Sequence, residues 1–233
     1  MKATDKRVLK LNMKTKFLLI ITLFSSGYAF SQESAKFGVK AGITISGIQG
    51  DASNSLNQLV DLTNGYLKTA DRTGFYLGVN ADIPIAENLS IEPGIYYSQK
   101  GYDLKGDFGI KGIEFLGASA KASLITQYID LPVLLKGNFG GLLIFAGPQV
   151  SYLAKADLKI TAGLLGIKLL NKSIDASGQF NPWDAAITGG IGYQFNNGMN
   201  ITASYDYGLM KVDANQSVNA YNRAFKVGIG VNF

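Results

Sequence analysis

Residues 225–233 alternate without a break. Phe225, Val227, Ile229, Val231 and Phe233 are large and apolar, while Lys226, Gly228, Gly230 and Asn232 fill the positions between them. In an extended chain successive side chains point to opposite faces, so a period of two predicts a β-strand with one oily face. The other face is wet or crowded. The working expectation is that this strand closes a membrane barrel, odd residues in lipid and even residues in the lumen.

The same alternation recurs upstream. Over 37–45, Phe37, Val39, Ala41, Ile43 and Ile45 oppose Gly38, Lys40, Gly42 and Thr44. Over 75–83, Phe75, Leu77, Val79, Ala81 and Ile83 oppose Tyr76, Gly78, Asn80 and Asp82. A turn at 84–88 leads to Leu89, Ile91, Pro93, Ile95 and Tyr97, set against Ser90, Glu92, Gly94, Tyr96 and Ser98. Residues 128–136 form a fourth strand and, after a turn at 137–141, residues 144–152 a fifth, with Ile144, Ala146, Pro148, Val150 and Tyr152 outward. The sixth carries Trp183, Ala185, Ile187, Gly189, Ile191, Tyr193 and Phe195; Asn196-Asn197-Gly198 then gives a strong hairpin signal. The seventh carries Ile201, Ala203, Tyr205, Tyr207 and Leu209, and the opening segment is the eighth.

Long connections (47–72, 101–126 and 154–182) alternate with short ones. Eight strands of about ten residues with this alternation predict an all-β, antiparallel up-and-down transmembrane barrel, with tight periplasmic turns and longer outer loops. Both termini are then periplasmic. A soluble sandwich or lipocalin-like barrel alternates too, but turns its apolar face inward. Here the second face is largely Gly, Ser, Thr, Asn and Gln, too small and polar for a solvent surface rich in Lys and Glu. Pro93 and Pro148 fall in mid-strand, where proline predicts a bulge.

Aromatic residues fall in two bands. Phe75, Tyr97, Tyr152, Trp183, Tyr207 and Phe225 lie on the lipid face near the long-loop ends, and Phe37, Phe195 and Phe233 near the short-turn ends. Such bands are the interfacial girdles of a membrane barrel.

Eight ionisable residues fall on the predicted lumen face: Lys40, Asp82, Glu92, Lys100, Asp130, Lys136, Asp206 and Lys226. Counting from the turns pairs Lys40 with Asp82, Glu92 with Lys136, Lys100 with Asp130, and Asp206 with Lys226. Side chains alone fill an eight-stranded interior, and isolated charges there are costly. The expectation is an ion-pair network plugging the lumen; the sharper alternatives are a proton or ion path, or a catalytic carboxylate pair such as Asp82 with Glu92. The even-face glycines lie on strands rather than at a strand-to-helix turn, so they read as room for neighbours and not as a phosphate loop. Two apolar stretches, 109–116 and 163–170, sit inside the outer connections. They read as strands extended past the membrane in paired ribbons, or else as a docking patch; a ten-stranded barrel is the third option.

Composition narrows the chemistry. The chain has 233 residues with no Cys and no His. The first excludes a disulfide framework, and the second excludes His-based triads, His metal sites and His-dependent lipid-cleaving barrels. No catalytic residue, cofactor or metal is expected. Lys14 and Lys16 precede an apolar run over 17–24 and small residues to Ser31, the pattern of a secretory signal. Met13 looks like the natural start. Cleavage is expected before Gln32, after Ala29-Phe30-Ser31, which leaves residues 32–233 as the barrel domain. Residues 1–31 contain six of the 22 basic and one of the 17 acidic residues, so the remainder carries sixteen of each. That balance argues against a nucleic-acid partner.

Several segments resemble the PorT-like outer-membrane β-barrel family of Bacteroidetes. Residues 128–136, Tyr-Ile-Asp-Leu-Pro-Val-Leu-Leu-Lys, are similar to that family's fourth-strand segment, and 146–152, Ala-Gly-Pro-Gln-Val-Ser-Tyr, to its fifth. Residues 188–193 (Thr-Gly-Gly-Ile-Gly-Tyr), 38–42 (Gly-Val-Lys-Ala-Gly) and Phe233 resemble it too. The resemblance spans 35–233 and implies a barrel in the outer membrane, with Phe233 similar to the signal read by the barrel-assembly machinery. PorT itself is associated with type IX secretion, and the family otherwise implies little about activity. The expected function is therefore a non-enzymatic structural or interaction role at the cell envelope. Its partners would be outer-membrane lipids, the assembly machinery during insertion, and an envelope protein met through loops 101–126 and 154–182. A narrow porin-like pore or an accessory part of a secretion system is the alternative, ahead of a lipid-modifying barrel enzyme.

Overall fold

The computed structural model describes residues 35–51, 67–110, 113–164, 167–215 and 219–233, with side chains described outside 67–69, 105–120 and 164–169. The proposed signal segment therefore lies outside the described residues, as do residues 111 and 112 of the first apolar stretch.

Nine strands are described: β1 (Lys36–Gln49), β2 (Leu67–Ala86), β3 (Leu89–Ile110), β4 (Ile113–Phe139), β5 (Leu142–Leu164), β6 (Ile167–Asp175), β7 (Trp183–Gln194), β8 (Met199–Lys211) and β9 (Tyr221–Asn232). Eight of them close a ring in the order β4-β3-β2-β1-β9-β8-β7-β5, sealed by pairing of β4 with β5. β6 stands outside the ring, paired with β5. The seam is β1 against β9, in continuous antiparallel register from Gly38↔Asn232 to Gln49↔Tyr221. At its foot Phe37 and Phe233 exchange backbone hydrogen bonds of 3.1 and 2.8 Å.

The faces follow the period of two. Phe37, Val39, Ile43, Leu77, Val79, Ile95, Ile144, Ile191 and Ile229 all stand exposed on the outside. Thr44, Asn80, Ser98, Asp130, Gln149 and Asn200 are buried inside. An outer surface of this kind belongs in hydrocarbon, and the ring gives every spanning strand a hydrogen-bonded neighbour on both sides. At the short-turn end Gly140-Gly141 joins β4 to β5 with φ of 64° and 96°, the positive values that a two-residue hairpin turn needs.

Three sequence expectations are corrected. The connection expected over 101–126 is almost wholly strand, because β3 and β4 pair as far as Ile110↔Ile113. Likewise β5 runs to Leu164 and returns as β6, so the ribbon reading of the outer stretches is the one that applies, and the ring holds eight strands. The mid-strand prolines make no bulge: the β3–β4 register is the same on both sides of Pro93, and β5 pairs with β7 continuously through Pro148↔Ile187. Proline removes one donor, but both ladders continue past it. The bulges fall elsewhere, among them β5 opposite Gln127/Tyr128, where Ala154 is the extra residue.

The inner face is also less uniformly small and polar than expected. Tyr76, Tyr96, Tyr128, Leu134, Leu143, Phe145 and Leu153 are buried in the lumen. Leu134, Leu143 and Phe145 form one apolar cluster; Tyr128, Leu153 and Ala156 form another, covered by Phe180. Glycines make this packing feasible. The Tyr76 hydroxyl takes the place a Gly228 side chain would occupy, and the Tyr96 ring packs over Gly78 and Gly94.

A Cβ on Gly228 would meet the Tyr76 hydroxyl and lie 2.7 Å from the Ala41 carbonyl oxygen. Gly228→Ala is expected to destabilise the barrel by about 1–3 kcal/mol in urea unfolding from lipid vesicles. Adding Tyr76→Phe restores part of that loss, because the hydroxyl contact goes while those with the ring Cζ, at 2.8 Å, and the Ala41 carbonyl oxygen remain.

Candidate functional site

The spanning part of the lumen gathers eight ionisable groups, and strand parity puts them there. Lys40 on β1, Asp82 on β2, Glu92 and Lys100 on β3, Asp130 and Lys136 on β4, Asp206 on β8 and Lys226 on β9 all project inward. They form two groups.

The group nearer the short turns joins Lys136 to both Asp82, at 2.5 Å, and Glu92, at 2.7 Å, while Lys40 also pairs with Glu92. The expected Lys40–Asp82 pair is thus replaced. In the ladder Lys40 faces Gly78, and Asp82 faces Lys36. Long side chains reach across a narrow lumen, so the nearest opposite charge is not the ladder neighbour. The candidate carboxylate pair, Asp82 with Glu92, is bridged by one ammonium group.

The second group centres on Asp130, which is fully buried. Lys100 reaches its Oδ1 at 3.0 Å, while Lys226 (3.2 Å) and the Ser98 hydroxyl (2.7 Å) donate to Oδ2. Lys226 also pairs with Asp206 at 2.6 Å, whose Oδ1 accepts from the Thr188 hydroxyl at 2.9 Å. Two ammonium groups lie near tyrosine rings: Lys100 is 5.0 Å from the centre of Tyr128, and Lys226 is 5.7 Å from that of Tyr76.

A cavity of about 50 Å³ separates the groups, bounded by Lys40, Glu92 and Tyr96 on one side and Lys226, Gln149 and Thr188 on the other. That is room for a few water molecules. At the ribbon end, residues 176–182 lead into β7 between β5 and the end of β8. The Ala176 amide bonds Ala156 O at 2.8 Å, the Leu153 amide bonds Pro182 O at 2.8 Å, and the Asn181 amide bonds Val212 O at 2.8 Å. This stitching, helped by a 3-10 turn at Ser177–Gln179, sets Phe180 on the apolar cluster.

Sequence parity missed one lumen acid, Asp184, which is 4% exposed and accepts a 2.7 Å hydrogen bond from Asn222. It follows Trp183 at the very start of β7, and the alternation with Ala185 was its only signal. Among the described residues no group of three or more His, Cys, Asp or Glu is placed to hold a metal ion.

On the outside, Phe37, Phe75, Tyr152, Trp183, Phe195, Tyr207, Phe225 and Phe233 are exposed. Tyr97 is half-buried, with its ring centre 5.6 Å from that of Phe75. Tyr152 and Trp183 meet edge-on at 5.1 Å in the same band. Phe139, Tyr193 and Tyr205 are exposed aromatics that the sequence bands left out. Above this band, Asp103 ties β3 to Lys121 of β4 at 2.6 Å and to Arg72 of β2 at 3.5 Å. Burial works against its charge, but hydrogen bonds from Lys121 and Ser123 and both cations hold the carboxyl below the usual range.

The family model described as "Outer membrane protein beta-barrel domain" matches residues 30–214. No match was found among curated proteins. Among solved structures, the chain is similar to Ail, the attachment invasion locus protein of Yersinia pestis, in complex with the heparin analogue sucrose octasulfate. That match has 13% identity and a TM-score of 0.43, covering 86% of this chain and all of the other. It is similar to Neisserial surface protein A at 13% identity and a TM-score of 0.45, with coverage of 86% and 100%. It is similar to OprG from Pseudomonas aeruginosa at 14% identity and a TM-score of 0.41, with coverage of 86% and 97%. At that level none of the three carries an argument about what this chain does.

Asp130 answers two lysines, whereas Lys136 keeps Glu92 when Asp82 is lost. Asp130→Asn is therefore expected to cost about 3–5 kcal/mol in urea unfolding, and Asp82→Asn clearly less. Equal losses would mean the two groups are not organised as described.

Proposed function

The chain belongs to the outer membrane protein beta-barrel domain family and lies in the outer membrane, and on that premise we propose that it is a non-enzymatic envelope barrel that binds a protein partner through its outer ribbon. The short-turn end, with both termini, faces the periplasm in this reading. The ribbon end faces outward.

The observation that carries the reading is the height of the ribbon. β3, β4 and β5 continue well past Tyr97, Ile129 and Tyr152, and β6 adds a further strand whose only described partner is β5. A strand edge with free amides and carbonyls is a template for an added strand. Leu170 and Ile174 on β6 are exposed beside it. Asp103, with its two cations, anchors the base of this ribbon to the barrel.

The lumen fits a plug. Paired charges and two apolar clusters occupy most of it, and Asp184 is the acid among the described lumen residues without an ion pair. The kinship with PorT-like barrels rests on the segments 128–136 and 146–152, and a place beside a secretion system is the finer form of the same proposal. The pore reading draws on the 50 Å³ cavity alone.

A photo-crosslinking residue at Leu170 or Ile174, in cells, is expected to give one discrete adduct with an envelope protein. The same probe at lipid-facing Ile229 should give none. Adducts at neither ribbon position, or equally at all three, contradict ribbon docking. In planar bilayers the purified barrel is expected to show no steady conductance; steady channels of reproducible size contradict the plug and favour a narrow pore.

A further inference from the structure

Among the described residues, Asp184 is the lumen carboxylate with no lysine in ion-pair contact. It lies on β7, opposite Ser151 of β5. Asn222 Nδ2 donates to its Oδ2 at 2.7 Å and to the Tyr128 hydroxyl oxygen at 3.2 Å, so one amide holds both oxygens together. Its Oδ1 is buried and accepts no hydrogen bond among the described residues. The four lumen lysines are engaged elsewhere: Lys40 with Glu92, Lys136 with Asp82 and Glu92, Lys100 with Asp130, and Lys226 with Asp130 and Asp206.

At this level of the lumen Asp82, Glu92, Asp130, Asp184 and Asp206 face Lys40, Lys100, Lys136 and Lys226, and Asp184 is the acid left without an ion pair; Asp103, at the ribbon base, has Arg72 and Lys121. An ionised carboxylate out of water with one oxygen unpartnered is strongly disfavoured unless a cation or proton joins it. We propose that Asp184 anchors a site for one monovalent alkali cation, with Oδ1 as the charged ligand and the Tyr128 hydroxyl as a neutral oxygen nearby.

A single unpaired carboxylate matches one monovalent ion. A divalent ion calls for several carboxylates, and no group of three acidic residues is placed for it among the described residues. The Lys100 ammonium beside the Tyr128 ring also disfavours a second positive charge. The site lies level with Trp183, beneath the cluster of Tyr128, Leu153 and Ala156 that Phe180 covers. It is independent of ribbon docking.

The test is thermal unfolding of the full chain in detergent at fixed pH and ionic strength, with choline chloride replaced stepwise by lithium, sodium or potassium chloride. The wild type is expected to gain a few degrees, saturably, with at least one alkali ion. Asp184→Asn, which keeps the shape and removes the charge, should lose that response and melt in choline no lower than the wild type. Asp82→Asn should retain the response. A wild type indifferent to cation identity, or a response that survives in Asp184→Asn, overturns the site. So does a wild type stabilised by lower pH alone, since Asp184 then takes a proton. Broadening of the sodium resonance by the wild type, displaced by potassium, reads the same site without any variant; its absence overturns the proposal.

Discussion

Amide and carbonyl groups that face hydrocarbon have no water to bond, and this constraint organises the whole chain. A sheet meets it only by closing on itself. Closure here depends on β1 and β9, far apart in sequence, pairing without a slip over Gly38↔Asn232 to Gln49↔Tyr221. Once the ring closes, every odd residue of β9 is committed to the outside and every even one to the inside. A slip of one residue would put Lys226 in lipid and Ile229 among charges.

Closure of eight strands leaves a narrow interior, and the lumen chemistry follows from that width. Glycines make room for several of the lumen rings, as Gly228 does for Tyr76 and Gly190 for Phe145. Lysines that would be exposed on a soluble barrel must find carboxylates within reach of their stems. Lys226 accordingly spans from β9 to both Asp206 and Asp130. Above the membrane the constraint relaxes because water is available. There β6 can stand with β5 as its one partner among the described residues.

The ring was legible in the sequence because membrane strands alternate in two sharply different environments. Residues 37–45, 75–83 and 225–233 needed no structure to be assigned a face. The ribbons were harder to read. Past the outer aromatic band neither face is in lipid, so 101–126 and 154–182 lose the apolar alternation and read as loops, although most of 101–126 and the stretch up to Asp175 pair as strands. Proline misled for a related reason: Pro93 and Pro148 forfeit one hydrogen bond each, but the ladder around them holds the register. The inner face of each strand was legible, and its partners were not. Lys40 bonds Glu92 because the lumen is narrow enough to cross, a distance that no strand-by-strand count contains. Asp184 escaped notice because it opens its strand, where alternation has only one side to show.

The central claim is that β9 and its neighbours face lipid with one residue in two. With no native cysteine, single cysteines can be placed at Phe225, Lys226, Val227, Ile229, Val231 and Asn232 and labelled with an environment-sensitive fluorophore in vesicles of brominated lipid. Labels at Phe225, Val227, Ile229 and Val231 are expected to be blue-shifted and quenched by the bromines, and labels at Lys226 and Asn232 are not. Quenching that ignores this alternation, or is absent throughout, would contradict the barrel as a lipid-facing structure.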